Sequence, residues 1–167
     1  MTTRLHDGTR VRIRPIRPSD AALLSAGLAR LSPESARRRF LAPKPRFSRS
    51  ELRYLTEVDQ IDHVALVAVL ADRPHVLVGV GRWVRDQEHR EAAEVAVVVA
   101  DPLQGQGLGT ILGRALADAA RARGVTRFTA TMLPENVRAQ RLFAGISDHL
   151  ETALRGGVYE LSAALAA

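Results

Sequence analysis

Three glycines stand at alternate positions in the segment 101–110, DPLQGQGLGT, where a strongly helical stretch begins. Glycines at this spacing leave the neighbouring backbone amides open to close approach by a ligand. A turn of this kind at a helix N-terminus binds phosphate through its free N–H groups and the helix dipole. We therefore interpret the segment as an anion-binding loop, and the alternative is a flexible loop with a glycine at the helix start.

Two common phosphate-binding motifs do not fit this loop. A nucleotide P-loop needs a lysine after its last glycine, but this position is Thr110, and Lys44 is the only lysine in the chain. A dinucleotide fingerprint that starts at Gly105 needs a glycine at position 110, and its glycines should follow the preceding strand directly. Neither motif therefore accounts for the loop.

Glu94 is the second residue that could carry chemistry. It stands at the start of an otherwise apolar strand pattern at 93–100, where an acid is costly unless it is solvated or has a function. The alternative is a solvent-facing residue, because a period-two pattern gives any strand one polar side. Both interpretations remain open from the residues alone.

Periodicity predicts the elements that would position these residues. Residues 10 to 17 alternate basic and apolar side chains, as expected of a half-buried first strand that ends at Pro18. Three helices with serine or aspartate caps are predicted next, at about 19–31, 32–41 and 48–58. Apolar runs joined by short turns then predict an antiparallel meander of three strands, at 64–71, 76–84 and 93–100.

The best-defined helix is predicted over 106–123, where apolar residues recur at helical spacing and Gly124 provides the stop. A strand at 125–133, a helix from Asn136 to about Ile146 and two weaker strands near 149–154 and 157–163 follow. The connection across the helix should make its two flanking strands parallel. The chain is thus expected to form one domain over residues 1–167, of the mixed α/β class with a mostly antiparallel sheet.

Several motifs together resemble the GNAT superfamily of N-acyltransferases. Gln104, Gly107 and Gly109 match its pattern Gln/Arg-x-x-Gly-x-Gly/Ala. The strand before the loop begins Ala-Glu-hydrophobic at residues 93–95, and Asn136 opens the helix after the next strand, as in that family. The resemblance covers nearly the whole chain and implies a GNAT-like domain with a central mixed sheet, splayed parallel strands and flanking helices.

The resemblance also implies how acetyl-coenzyme A would bind. Its pyrophosphate would lie on the amides of the loop, and its pantetheine arm would run between the strands at 93–100 and 125–133, which should splay apart. Exposed amides near Val97 to Val99 would bond the arm and polarise the thioester carbonyl. The donor-binding residues expected on this basis are Val97, Val98, Val99, Gln104, Gly105, Gln106, Gly107, Leu108, Gly109, Thr110, Asn136 and Phe143.

A base is needed because a lysine amine, with an ordinary pKa of about 10.4, is protonated at neutral pH. The resemblance makes Glu94 the expected catalytic base, with Glu91 and His89 as fallbacks. Phe143 stands where many relatives have a tyrosine that protonates the leaving thiolate. That role passes either to Tyr159 or to no protein acid, since a thiolate with a pKa near 8.5 can leave unaided.

The opening residues 7–20 and the segment 32–40 resemble bacterial protein-lysine acetyltransferases of the Pat type. This resemblance implies a protein lysine as the acceptor. Two alternatives are an acetyltransferase for small amines and a non-catalytic acyl-coenzyme A sensor. The arginine-rich segment 32–54, expected to border the acceptor cleft, favours an acidic protein surface over a small cationic amine.

Composition restricts the remaining possibilities. The 167 residues contain no cysteine, the five histidines show no paired ligand spacing, and a metal is therefore not expected. The formal net charge is +6, but the arginines are scattered and only 4% of residues are aromatic, so a nucleic-acid partner is not expected. Neither a signal peptide nor a membrane-spanning run is apparent, and we expect a cytoplasmic protein.

Overall fold

A computed structural model describes residues 1–166, which form one eight-stranded sheet with helices on both faces. The strand order across the sheet is β1-β2-β3-β4-β5-β6-β8-β7. All neighbouring strands are antiparallel except β5 and β6, which are parallel. The strands are β1 Thr2–Arg4, β2 Arg10–Pro15, β3 His63–Leu70, β4 Leu77–Arg85, β5 Ala92–Val99, β6 Arg127–Met132, β7 Ser147–Arg155 and β8 Val158–Leu165.

Side-chain caps fix the start of three of the five α-helices. Ser32 accepts a hydrogen bond from the backbone N–H of Ser35, Ser48 from that of Glu51, and Asn136 from that of Ala139. The helices are α1 Ala21–Arg30, α2 Pro33–Phe40, α3 Arg49–Thr56, α4 Leu108–Arg121 and α5 Val137–Ile146.

The two faces of the sheet bury different helices. On one face, alternate strand residues such as Trp83 and Val95 pack against apolar residues of α4 and α5. On the opposite face, Val67 and Val80 pack beneath α1 and α3. This division follows from the period of two along each strand, which sends successive side chains to opposite faces.

The pairing of β5 with β6 is short. Only residues 92–94 of β5 pair with residues 127–129 of β6, although both strands continue beyond that point. The second edge of β6 pairs along its whole length with β8. The two parallel strands therefore diverge after Glu94, and a gap opens between them toward the end of β5.

These observations confirm the predicted mixed α/β class, the antiparallel meander, the parallel pair on either side of α4 and the splay. Strand β1 was not predicted, because three residues are too few for a period-two pattern to be recognised. The two C-terminal strands are longer than expected and form a hairpin, in which β8 lies between β6 and β7.

Candidate active site

The glycine loop presents a row of free amides at the start of α4. The first intrahelical hydrogen bond runs from Ile111 N–H to Gly107 O, so the N–H groups of 108–110 have no helical acceptor. Gly105 and Gly107 adopt positive φ angles of 78° and 92°, a conformation that favours glycine. The loop geometry therefore suits a phosphate group at the positive end of the helix dipole.

A group of hydrogen bonds joins this loop to helix α2. The Asp101 carboxylate accepts bonds from the Ser32 N–H at 3.0 Å, Ser32 Oγ at 2.7 Å and Ser35 Oγ at 2.7 Å. Burial alone would raise the pKa of Asp101, but these bonds outweigh it and lower the pKa. Gln104 Nε2 donates to Ser35 Oγ at 3.1 Å and to Val99 O at 3.0 Å. The conformation of the loop thus depends on α2 and on the end of β5.

The free edge of β5 supplies further amides. Ala100 donates to Val78 O, and Val98 lies opposite Val80 in the antiparallel ladder. Because backbone groups alternate in direction along a strand, Val98 faces β4 whereas Val97 and Val99 direct their N–H and C=O groups into the gap. The side chain of Val98 packs against the apolar residues beneath α1 and α3, on the sheet face opposite to α4.

The loop and the gap open into one cleft of about 420 Å³. Of the predicted donor-binding residues, it is lined by Val97, Val98, Val99, Gln104, Gly105, Gly107, Gly109, Thr110 and Asn136. Leu108 does not line it, because its side chain is fully buried in the core and only its backbone lies at the helix start. Gln106 also lies outside the lining, and its carbonyl accepts the backbone N–H of His6.

Basic side chains that were not predicted as site residues also line the cleft. They are His6, Arg38, Arg39, Arg138 and Arg141. The spacing of three between Arg138 and Arg141 on the helix that follows Asn136 was an available signal, because such residues share a helix face. His6 had no signal in the sequence, since it reaches the loop only through the pairing of β1 with β2. Together these side chains make the cleft attractive to an anionic ligand.

Asn136 and Phe143 have different surroundings. Asn136 Oδ1 caps α5 through Ala139 N–H at 3.2 Å, which leaves its amide nitrogen free to face the cleft it lines. Phe143 is only 5% exposed and packs in the core with residues of α4 and β6. It does not line the cleft, whereas half-buried Tyr159 packs at the edge of the same core and pairs with Met132 on β6.

Glu94 lies at the last paired position of β5, where the gap begins. Its side chain is exposed on the sheet face that carries α1–α3, in a cross-strand row with Val84 and His63. The fallback residues are farther from the loop, at the other end of β5. Glu91 is engaged by Arg127 Nη2 at 3.2 Å, and His89 is exposed.

Two arginines share the Glu94 face. Arg82 on β4 is only 6% exposed and lies opposite Ala96, between Glu94 and Val98 along the ladder. Its Nη1 donates to Leu55 O at 3.1 Å and contacts His63 Nε2 at 3.0 Å. Burial lowers the pKa of Arg82 to about 10, and nearby Arg39 contributes to that lowering. Burial also lowers the pKa of Arg39, and the charge of the Glu94 carboxylate offsets part of that lowering.

His63 is held neutral beside these cations. Burial, and then the charge of Arg82, lower its pKa to about 4. Among residues 1–166, no group of three histidine, aspartate or glutamate side chains is arranged to hold a metal ion. None of the helices within those residues is long and apolar enough to cross a bilayer.

The fold, the loop and the splayed strands agree with comparisons to known proteins. The profile of the acetyltransferase (GNAT) family matches residues 34–145, and the chain therefore belongs to this family. Its structure resembles the GNAT domain of S. lividans PAT, with a TM-score of 0.89 and 31% sequence identity over 99% of this chain and 96% of that one. The resemblance deduced from the loop motif is thereby confirmed.

Two curated relatives are named acetyltransferases. Acetyltransferase Pat of Mycolicibacterium smegmatis is 36% identical over 138 residues, which cover 78% of this chain and 38% of the relative. Acetyltransferase PA5475 of Pseudomonas aeruginosa is 36% identical over 121 residues, which cover 72% of this chain and 64% of the relative. The chain thus matches less than two thirds of the length of either relative.

Proposed function

We propose that this protein is a cytoplasmic N-acetyltransferase that transfers the acetyl group of acetyl-coenzyme A to a lysine side chain of a protein. The observation that carries the proposal is that the amide-rich loop and the free edge of β5 open into one arginine-lined cleft. Family membership supports the reaction class, and the similarity to Pat supports the choice of acceptor.

The cleft offers two sets of backbone groups that can bind coenzyme A, one at the start of α4 and one along the edge of β5. Its pyrophosphate would accept hydrogen bonds from the free N–H groups of 108–110, at the positive end of the α4 dipole. Arg138 and Arg141 add positive charge near those oxygens. Its pantetheine arm carries amide groups that can form hydrogen bonds with the backbone groups that Val97 and Val99 direct into the gap, as an added strand would.

The electrostatics of the Glu94 face would help the amine to attack. A lysine ammonium that approaches Arg39 and Arg82 meets like charges, which lower the pKa of the ammonium. Glu94 would accept the released proton, directly or through a water molecule. The neutral amine then forms a C–N bond with the thioester carbon, the C–S bond breaks, and the nitrogen releases its remaining extra proton to solvent. The thiolate leaves with or without a proton from Tyr159.

A protein acceptor is favoured over a small cationic amine by the positive charge around the site. Arg37, Arg38 and Arg39 lie in the last turn of α2, which borders the cleft. Spermidine or an aminoglycoside would be repelled by these charges, whereas an acidic protein surface would be attracted and would carry its lysine with it.

The test compares acceptors with acetyl-coenzyme A as donor. We expect folded proteins from the host to be acetylated at a few defined lysines, measured by mass spectrometry, and spermidine and an aminoglycoside to be poor substrates. Faster turnover of a small amine than of any host protein would replace the protein acceptor with a small one. Tight donor binding without transfer to any amine would instead identify a non-catalytic sensor.

A further inference from the structure

A second, smaller cavity lies on the Glu94 face of the sheet, beneath α1, α2 and α3. Its volume is about 60 Å³, and most of its wall is apolar, with Leu28, Phe40, Phe47 and Val98 among the lining residues. Val98 and Arg39 line both this cavity and the donor cleft, so the two spaces adjoin at the strand where the thioester would lie.

The polar part of the cavity wall consists of two guanidinium groups, those of Arg39 and Arg82. Arg82 is 6% exposed, and its partners are a backbone carbonyl and a neutral imidazole. Half-buried Arg39 lies over the Phe40 ring, with its guanidinium carbon 4.8 Å from the ring centroid, and the charge of Glu94 offsets part of its desolvation. Within residues 1–166, neither arginine forms a salt bridge with a carboxylate, and a buried cation such as Arg82 is unfavourable without one. The pair therefore provides a site for a carboxylate at the end of an apolar cavity.

We propose that the cavity accepts the tail of a short acyl group that ends in a carboxylate, such as succinyl, with the carboxylate bound by Arg82 and Arg39. This inference rests on the proposed use of a coenzyme A thioester. At ~10–15 Å³ for each water-sized atom, the volume has room for about four to six non-hydrogen atoms. Succinyl carries four more non-hydrogen atoms than acetyl.

The acyl tail is a better occupant than part of a protein acceptor. The nitrogen of an attacking lysine must stop at the thioester carbon, and the rest of that side chain and its backbone extend back toward solvent. The cavity adjoins the donor cleft at Val98 and Arg39, so an acyl tail attached at the thioester can enter it from the cleft. The chemistry is unchanged: the C–N bond forms, the C–S bond breaks, coenzyme A leaves as the thiol, and the distal carboxylate takes no part.

The test measures the dissociation constants of acetyl-, butyryl- and succinyl-coenzyme A for the same protein. Butyryl has the same number of carbons as succinyl and lacks the carboxylate, so the coenzyme A contacts and the chain length cancel in the comparison. We expect succinyl-coenzyme A to bind about tenfold more tightly than butyryl-coenzyme A, or better, because a hydrogen-bonded charge is involved.

Arg82→Met should abolish this preference, so that succinyl- and butyryl-coenzyme A bind with equal affinity. Since Arg82 also bonds Leu55 O, Arg39→Met serves as a second variant that removes no such hydrogen bond and should reduce the same preference. Arg53→Met is the matched control, because Arg53 is exposed on α3 and, among residues 1–166, forms a salt bridge only with Glu57. That variant should retain the preference of the wild type.

Equal affinity of the wild type for succinyl and butyryl donors would overturn the inference, as would equal losses for both donors in the two variants. If Arg82→Met instead impaired acetyl transfer only to amines that carry a carboxylate, the cavity would belong to the acceptor and the inference would be wrong. In each of these three cases, normal acetyl transfer by the wild type would leave the proposed function intact. Failure of all three donors to bind would overturn both proposals.

Discussion

Successive residues of β5 serve opposite sides of the sheet. Val97 and Val99 direct backbone groups toward the gap, whereas Glu94 and Val98 present side chains on the face with Arg82. In the proposed reaction, this alternation would let one strand bind the donor along its edge and present the base on its face. A substitution at Glu94 should therefore affect that reaction without altering the groups proposed to bind the donor.

The first prediction concerns the base. Glu94→Gln keeps the size and polarity of the side chain but removes the carboxylate that would take the ammonium proton. The turnover number at pH 7 should fall by about 10²- to 10⁴-fold and recover partly as the pH rises toward the pKa of the amine. Steady-state kinetics from neutral pH up to the amine pKa measure both effects, and the dissociation constant of acetyl-coenzyme A should be unchanged.

Glu91→Gln is the matched control for that experiment. Glu91 precedes the same strand, is exposed and pairs with Arg127, and its replacement should leave turnover near that of the wild type. A Glu94→Gln enzyme with normal turnover and an unchanged pH profile would identify Glu94 as a surface residue. The search for a base would then move to His89, and to Glu91 if its own replacement lowered turnover.

At the scale of elements, the loop before α4 is positioned from three directions. His6 after β1 donates its backbone N–H to Gln106 O, and Gln104 is held by α2 and by the end of β5. Gly105 and Gly107 adopt positive φ angles within this loop. Because the contacts come from distant parts of the chain, the conformation of the loop depends on the complete fold.

The second prediction follows from Gly107. With φ at 92°, a side chain is strained there, and a Cβ would lie 3.1 Å from His6 Nε2. Acetyl-coenzyme A at ~100 times its dissociation constant should stabilise the wild type by about 2.7 kcal/mol. Gly107→Val should abolish that gain, measured as the ligand-dependent shift in thermal unfolding.

Gly124→Val separates backbone strain from loss of the binding site. Gly124 has a φ of 75°, a Cβ added there would meet no heavy atom within 4 Å, and the residue lies at the other end of α4. Both variants should unfold at lower temperature than the wild type. Only the Gly124 variant should keep its response to acetyl-coenzyme A, and a full response from Gly107→Val would remove the loop from the binding site.

At the scale of the whole molecule, the sheet separates two environments. The face covered by α4 and α5 is an apolar core around Trp83 and Phe128. The face covered by α1–α3 instead encloses Arg82 and His63 near the candidate site. Ionisable groups near the candidate site are thus confined to one face, and their burial lowers the stability of the fold by an amount that depends on pH.

The third prediction concerns that pH dependence. The pKa of His63 is about 4 in the folded protein, below the usual value of about 6.5 expected after unfolding. The unfolded chain therefore binds a proton that the folded protein excludes, and stability should fall as the pH drops from about 6.5 toward 4. His63→Gln keeps an acceptor for Arg82 and should flatten this decline, as measured by urea unfolding at several pH values.

His75→Gln is the control for the pH experiment. His75 is exposed to solvent, so its replacement should leave the pH dependence of stability as it is in the wild type. Asp20 and Asp101 have lowered pKa values, and their contribution should be lost only at more acid pH, as they become protonated. An unchanged slope in His63→Gln would show that His63 does not exclude a proton in the folded state.

The sequence by itself determined most of the elements and the glycine loop, because the signals that specify them are local. Helix α4 follows from apolar spacing and a glycine stop, and α2 and α3 follow from serine caps at Ser32 and Ser48. The loop motif with its flanking Glu94 and Asn136 was sufficient to indicate the family, because each of these residues is defined by its distance along the chain from the glycines.

Tertiary structure alone decided which residues meet. The short pairing of β5 with β6 opens the gap, and the other edge of β6 pairs with β8, which follows α5 and β7 along the chain. The cavity with Arg39 and Arg82 likewise joins a helix end to the middle of a strand. Such contacts leave no periodic trace in the sequence, since each depends on how distant elements pack and on which face a side chain is buried.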